Sequence, residues 1–350
     1  SAFTPTTVKC LKSSNSSEPM VSVIIGVDGG GTKTEVAVVA ADGRLISTAT
    51  SGPTNPAALP IDEVCGNLAK GIRDALSPIG HIDGVKYVSV SMAGYLGGLW
   101  GSEIRRCVLE ALGSLARGGV EVYLSEDIEA AHASAFLLGD GVVGILGTGS
   151  NFYGIYRGVR VRVGGWGHLI DDEGGAYHIG ALGLSKVVKS YDGRISRTSL
   201  LDCALKLYGV SRVEELVEKI YSSKDVKGTV ASFARCVFEE ARRGDAEALA
   251  VIKGEVEEVV NALATVIRRL NASEIPIALM GGTYMANRDV LKPLIEGELS
   301  KVLNRAVSIN EPLIRQSCAA SLIPMRMGLQ EVPQDFLRNI VSTCSYASQA

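Results

Sequence analysis

The strongest constraint on this chain is a pattern of three short strands that occurs twice. From Val21 the residues read as β: Val21–Asp28, the turn Gly29-Gly30-Gly31-Thr32, Thr34–Ala41, the hairpin pair Asp42-Gly43, and Arg44–Thr50. Farther along the order returns as Val142–Leu146, the turn Gly147-Thr148-Gly149, Asn151–Tyr156, the pair Arg157-Gly158, and Val159–Val163. In each copy the first turn is rich in glycine and threonine and the second is a tight X-Gly pair. A duplicated β-β-β core is the simplest account. Helix and strand patterns alternate after the first copy: a helix over Ile61–Leu76, a buried-type strand Val85–Met92, a helix near Ser102–Leu115, a strand Val120–Leu124 and a helix Ile128–Leu137. The second copy is followed by a mainly helical stretch to about Leu270, with amphipathic runs at Val226–Arg243 and Ala246–Arg269. Then come the strand Ile275–Met280, Gly281-Gly282 and a helix Asn287–Leu303.

A chain of 350 residues is long for one hydrophobic core, which points to two domains. Lys+Arg 35 against Asp+Glu 38 gives a net charge of −3, with no basic field for nucleic acid or an anionic membrane. No apolar stretch reaches the roughly 18–20 residues that span a bilayer. The N-terminus lacks the basic-then-apolar order of a secretory signal, so the expectation is a cytoplasmic protein, with residues 1–20 a polar extension. Forty glycines imply many sharp turns or close backbone approaches to a ligand. The seven cysteines (Cys10, Cys65, Cys107, Cys203, Cys236, Cys318, Cys344) contain no Cys-x-x-Cys pair and read as scattered free thiols rather than metal ligands.

The densest chemical signal is Asp28-Gly29-Gly30-Gly31-Thr32-Lys33 between two strands. Three glycines remove the Cβ atoms that would keep a triphosphate away, so backbone N–H groups can form an anion cradle, with the Thr32 hydroxyl as a further donor. Asp28 beside such a cradle would repel a nucleotide unless a hard cation stood between them, which calls for Mg²⁺. This is neither a Walker loop nor a dinucleotide fingerprint, because no helix opens here. The second hairpin, Gly147-Thr148-Gly149-Ser150-Asn151, supplies the same chemistry from the other half, so the two loops could clamp phosphates from both sides.

Asp127 ends the segment Ser125-Glu126-Asp127, directly before a helix. It is either a helix N-cap or a general base that takes a hydroxyl proton, and the two roles are compatible. The cluster Gly164-Gly165-Trp166-Gly167-His168-Leu169-Ile170-Asp171-Asp172-Glu173-Gly174-Gly175 carries an acidic triplet. It reads either as the charged first turn of a helix or as carboxylates for polyol recognition. His168 and Trp166 read as structural residues. Gly52-Pro53-Thr54-Asn55-Pro56 displays one amide on a rigid loop, and Gly281-Gly282 either lets an adenosine lie against the backbone or simply turns the chain.

Taken in order, Asp-Gly-Gly-Gly-Thr, Gly-Thr-Gly-Ser, Gly-Gly-Trp-Gly-His and Gly-Gly resemble the BadF/BadG/BcrA/BcrD ATPase family, in the N-acetylglucosamine kinase branch of the actin-like, hexokinase-type superfamily. The resemblance runs from about Val23 to Leu329. It implies an α/β fold of two ribonuclease-H-like (actin-like ATPase) domains around a central cleft, the β-β-β-α-β-α core of one duplicated in the other. The expected division is a first domain at 21–118, joined by a C-terminal helix at about 316–340, and a larger second domain at 119–315 with a helical insertion. The implied cofactors are ATP and Mg²⁺, the implied substrate is a small sugar, and the implied assembly is a homodimer. By matching position, Asp28 would serve the metal. Gly29, Gly30, Gly31, Thr32, Lys33, Thr148 and Gly149 would serve the phosphates, and Gly281 and Gly282 the adenosine. Asp127 would be the base, and Asn55, Asp127, Ser150, Asn151 and Asp172 would meet the sugar. The expected reaction is γ-phosphoryl transfer to the 6-hydroxyl of N-acetylglucosamine. The alternatives are a broad hexokinase or glucosamine kinase, or a sugar sensor or activating ATPase on the same scaffold. One departure bears on substrate choice: Asp171 stands where the family has Gly, and Gly175 where it has Ser. The loop Ala93-Gly94-Tyr95-Leu96-Gly97 either lines an N-acetyl pocket or only turns the chain.

Overall fold

The computed structural model describes residues 21–95 and 98–345; the N-terminal extension 1–20, Cys10 and the pair Leu96-Gly97 lie outside them. Two five-stranded sheets carry the chain. The first contains β1 (Val21–Gly29), β2 (Thr34–Ala40), β3 (Leu45–Ser51), β4 (Ile82–Met92) and β5 (Glu121–Glu126), in the order β3-β2-β1-β4-β5. The second contains β6 (Gly141–Leu146), β7 (Ser150–Tyr156), β8 (Val159–Val163), β9 (Ile277–Met280) and β10 (Ile309–Asn310), in the order β10-β9-β6-β7-β8. Counted from the first strand of each, both orders are third-second-first-fourth-fifth. In each sheet the first three strands are antiparallel neighbours and the last two run parallel to the first. The duplication read from the two meanders is therefore the architecture.

Alternation along β1 divides the core. Val23, Ile25 and Val27 face α1 (Ile61–Leu76) and α2 (Gly101–Leu112), while Ile24 faces the opposite side. That second face is covered by α3 (Asp127–Phe136) and by α12 (Gln316–Ala320), with α13 (Ile323–Arg326) and α14 (Phe336–Thr343) continuing from it. Gly26 is necessary here, because a Cβ would collide with the Ser317 carbonyl of α12. Tyr87 donates its hydroxyl to the Ser321 carbonyl at 2.7 Å, and Ser317 donates to Glu35 Oε1 at 2.5 Å, so the C-terminal stretch is pinned to the first sheet.

α3 is apolar nearly all round: Ile128, Ala130, Ala131, His132, Ala133, Ser134 and Ala135 are all buried. Ile128, Ala131 and Ala135 pack on Val143, Tyr153 and Ala278 of the second sheet, whereas Ala133 joins the cluster on the first. The helix thus lies between both sheets. His132 is held there by the Gly141 carbonyl at 2.9 Å, and burial drives its pKa down to about 3, so it is neutral.

The helical insertion between β8 and β9 comprises α4 (Ala176–Tyr191), α5 (Leu200–Tyr208), α6 (Val213–Tyr221), α7 (Val226–Ser232), α8 (Ala234–Arg242) and α9 (Ala246–Leu270). The run expected as one helix at Val226–Arg243 divides at Phe233. After β9 come α10 (Gly282–Ala286) and α11 (Arg288–Leu303). No helix among the described residues is long and apolar enough to cross a membrane.

The cysteines correct the free-thiol expectation. Three disulfides form: Cys65–Cys107 between α1 and α2, Cys203–Cys236 between α5 and α8, and Cys318–Cys344 between α12 and the end of α14. Each joins residues 26 to 42 positions apart, on helices made adjacent only by tertiary packing, so no local spacing announces them.

Candidate active site

The parallel register places the acidic residues. Asp28 pairs with Ser91, Ser91 with Ser125, and Met92 with Glu126, so Asp28 and the end of β5 lie at one edge of the sheet, past which Asp127 begins α3. This is the carboxyl edge, where open α/β sheets bind ligands. Asp127 is the first residue of the helix, and Glu126 occupies the cap position, which settles the capping alternative: no side chain caps this helix. Both residues are half-buried. Burial, reinforced by the charges of Asp127 and Glu35 and opposed by Lys33, pushes Asp28 up to about 7. Burial pushes Asp127 up to about 6, against the Ile128 N–H and the Arg162 guanidinium, which favour the charged form. Asp28 and Asp127 are therefore neighbours at one edge of the first sheet, close enough for their charges to interact.

The first hairpin follows directly on Asp28. Gly30 N–H donates to the Lys33 carbonyl at 2.9 Å, closing a tight turn whose tip, Gly31-Thr32-Lys33, is exposed. A Cβ on Gly29 would strike Thr54 Oγ1, while one on Gly31 would meet nothing within 4 Å. Gly29 is thus required by packing, whereas Gly31 leaves backbone open to a ligand. Loop 52–56 is tied to this hairpin by a buried hydrogen bond between Thr34 and Thr54 hydroxyls at 2.8 Å and by Thr54 N–H to the Gly30 carbonyl at 3.1 Å. Asn55 Oδ1 accepts the Ala57 N–H at 2.9 Å, and the side chain sits against Gly94, where a Cβ would collide with it. The amide nitrogen of Asn55 makes no hydrogen bond among the described residues.

The second hairpin repeats the turn: Gly147 N–H donates to the Gly149 carbonyl at 2.9 Å, and Thr148 is exposed at the tip. Three segments brace it. The Gly147 carbonyl accepts from Ala176 N–H at 2.9 Å and from Thr283 Oγ1 at 2.6 Å, and Gly281, at φ 100°, leaves room for Leu146 backbone that a Cβ would fill. Gly282 opens α10 with free space at its Cβ position. Asp172 lies against Gly149 and accepts the Gly167 N–H at 3.2 Å. It is buried, its pKa is raised by that burial, and it is held at φ 74°, a left-handed conformation uncommon for a non-glycine residue and typical of constrained sites. Ser150 is buried and lines a cavity of about 190 Å³ with Trp166, Asp171 and Glu173.

The acidic triplet is not the first turn of a helix: α4 begins at Ala176, and Asp171, Asp172 and Glu173 form the turn before it. The positive φ of Asp172 and of Gly174 breaks the helical path there. Asp171, the extra carboxylate, accepts the Trp166 N–H at 2.9 Å and so closes the glycine-rich loop on itself. His168 stacks edge-on against Tyr177 at 4.7 Å between ring centroids.

Two features carried no signal in the sequence pattern. Glu255 of α9, buried, accepts from Gly174 N–H at 2.6 Å and pairs with His178 Nδ1 at 2.7 Å, an interaction that raises the His178 pKa. Arg162 of β8 reaches both Asn151 and Glu126.

The family model for BadF/BadG/BcrA/BcrD ATPases matches residues 25–320. The chain belongs to the BadF/BadG/BcrA/BcrD ATPase family. Among its relatives in this ATP-dependent group, it is 29% identical over 258 residues to an N-acetylmuramic acid/N-acetylglucosamine kinase of Clostridium acetobutylicum, covering 73% of this chain and 83% of that one. It is 26% identical over 314 residues to an N-acetyl-D-glucosamine kinase of Dictyostelium discoideum, covering 86% and 95%. A crystal structure from Chromobacterium violaceum, a candidate N-acetylglucosamine kinase, superposes with a TM-score of 0.70 at 24% identity, covering 87% of this chain and 99% of that one, and shares the fold. The BadF/BadG/BcrA/BcrD assignment accounts for two glycine-rich hairpins at matching places in two sheets of one chain.

Proposed function

We propose that the protein is an ATP-dependent sugar kinase that transfers the γ-phosphoryl group to the 6-hydroxyl of a hexose, with N-acetylglucosamine the preferred acceptor. The observation that supports this reading is the pair Asp28 and Asp127, neighbours at the carboxyl edge of the first sheet beside a glycine-rich hairpin. Its support on the substrate side is the similarity to the two curated kinases.

In this reading Asp127 accepts the proton of the sugar hydroxyl as that oxygen attacks the γ-phosphorus. The bond from the γ-phosphorus to the β–γ bridging oxygen breaks, and ADP leaves. The raised proton affinity of Asp127 suits a base working near neutral pH. Gly30, Gly31, Thr32 and Lys33 would bind phosphate from one wall, and Thr148 and Gly149 from the other. Gly281-Gly282 would face the adenosine, while Asn55, Ser150, Asn151 and Asp172 would orient the sugar. No group of three or more acidic, His or Cys side chains among the described residues could hold a metal by itself. That fits Mg²⁺, which binds through one or two carboxylates plus nucleotide phosphates, with Asp28 as the protein ligand. When bound, the ion would neutralise charge on the transferring phosphate.

The lobes of this reading are 21–118 with about 316–340, and 119–315, closing to exclude water from a base that would otherwise promote ATP hydrolysis. It also includes a cytoplasmic homodimer. The deciding experiment is ADP release and phosphosugar formation across N-acetylglucosamine, N-acetylmuramic acid, glucose, mannose and glucosamine. The highest kcat/KM is expected with N-acetylglucosamine; ADP release without phosphosugar would replace the kinase with an activating ATPase.

A further inference from the structure

We infer that Arg162 is a positioning residue for phosphoryl transfer, holding the neighbour of the base, the second hairpin and the glycine-rich loop in one frame across the two sheets. The inference rests on the kinase reading and deepens it. Alternation along β8 turns Val161 into the core and sends Arg160 and Arg162 to the face that meets the start of α3. There Arg160 approaches Glu129 at 4.0 Å and Arg162 approaches Glu126 at 3.6 Å. The second pair is the consequential one. Glu126 ends the first sheet and directly precedes Asp127, whereas Arg162 belongs to the second sheet.

Arg162 also does what Arg160 does not. Its Nε donates to Asn151 Oδ1 at 3.3 Å, one guanidinium NH₂ donates to the Gly165 carbonyl at 2.6 Å, and its plane lies over the Trp166 ring at 5.1 Å. Gly165 is glycine for this reason: at φ 74°, a Cβ would press on both Asn151 and the guanidinium. From Gly165 the loop runs to Gly167, whose N–H holds Asp172, which packs on Gly149. One planar fork therefore sets the distance between the base on one side and the hairpin and Asp172 on the other. An exposed ion pair would contribute little and tolerate any cation; a fork with three partners does not tolerate lysine.

The test is steady-state kinetics of the full chain with N-acetylglucosamine and MgATP for the wild type, R162Q, R162K, E126Q and R162Q/E126Q, with circular dichroism to establish folding. R162Q is expected to lower kcat by about 10–100-fold, the scale of a misplacement near 1 Å, with the KM for ATP changed less than about threefold. R162K should recover only part, since a point charge can pair with Glu126 but cannot also serve Asn151 and Gly165. The double variant should be no slower than R162Q alone, because both changes remove the same contact. An active wild type with R162Q or R162K at full kcat overturns the inference alone. Loss of ATP affinity in step with kcat, or full additivity in the double variant, also overturns it. A wild type that forms no phosphosugar overturns the kinase reading and this inference with it. Should R162Q fail to fold, R162K and E126Q decide the matter by the same criteria.

Discussion

Gly149 and Asp172 touch where the second hairpin meets the glycine-rich loop, and a Cβ on Gly149 would collide with the carboxylate. Asp172 has little room to yield, since it is buried, held at φ 74° and hydrogen-bonded to Gly167. G149A should therefore cost about 1–3 kcal/mol of local strain and lower kcat/KM for the sugar by at least about tenfold. Unchanged sugar kinetics in a folded G149A would remove Asp172 from the acceptor site.

D127N should lower kcat by about 10²–10⁴-fold, the usual contribution of a positioned base, while nucleotide binding measured by calorimetry survives. The amide keeps the shape of the helix start, where no side-chain cap is lost. A D127N enzyme with near-normal turnover would strip the residue of its role.

The two edge carboxyls bear on stability through pH. Asp28 is raised from 3.8 to about 7, so the folded protein binds a proton there that the unfolded chain releases. That contribution is fully present below 3.8 and is lost as pH rises through about 7. In magnesium-free buffer at about pH 8, D28N should melt a few degrees above the wild type, since 1 kcal/mol is worth roughly 2–4 °C in a chain of 150–250 residues and somewhat less in a longer one. The gain should shrink as pH falls and vanish below 3.8, where the carboxyl is neutral in the folded and unfolded wild type alike. Equal melting temperatures at both pH values would mean that the carboxylate is well solvated.

Three disulfides leave Cys10 as the remaining cysteine of seven. Mass spectrometry after alkylation under denaturing, non-reducing conditions should find one modified thiol, rising to seven after reduction. Reduction should also lower the melting temperature, each cross-link of this span contributing about 3–4 kcal/mol on the chain-entropy model. Seven modified thiols without reductant would restore the free-thiol reading.

What could be read from the sequence follows the range of the interaction. The helix Ile61–Leu76 and the strand Val159–Val163 have the bounds their periodicity predicts, because each signal is local. The two hairpins and Asp127 were legible for the same reason: glycine placement and a strand-to-helix junction are written in consecutive residues. Of the two readings of the acidic triplet, the helical first turn fails: negative charge before a helix suits its dipole, while the strained turn at Asp172 and Gly174 is a tertiary product of packing on Gly149 and Glu255. Arg162, Glu255 and the disulfides were silent: β8 meets α3, α9 meets the loop at Gly174, and the paired cysteines meet each other only through tertiary packing of elements distant in the chain. The short strand Ile309–Asn310 carries too few residues for any alternation to show.

The burial of α3 by both sheets has a mechanical consequence. Its small side chains seat it on two surfaces at once, so neither half of the molecule can carry Asp127 away as it swings. On the kinase reading, closure of the two lobes would pivot beside Asp127, so that phosphate and alcohol are brought to an acid that itself stays put.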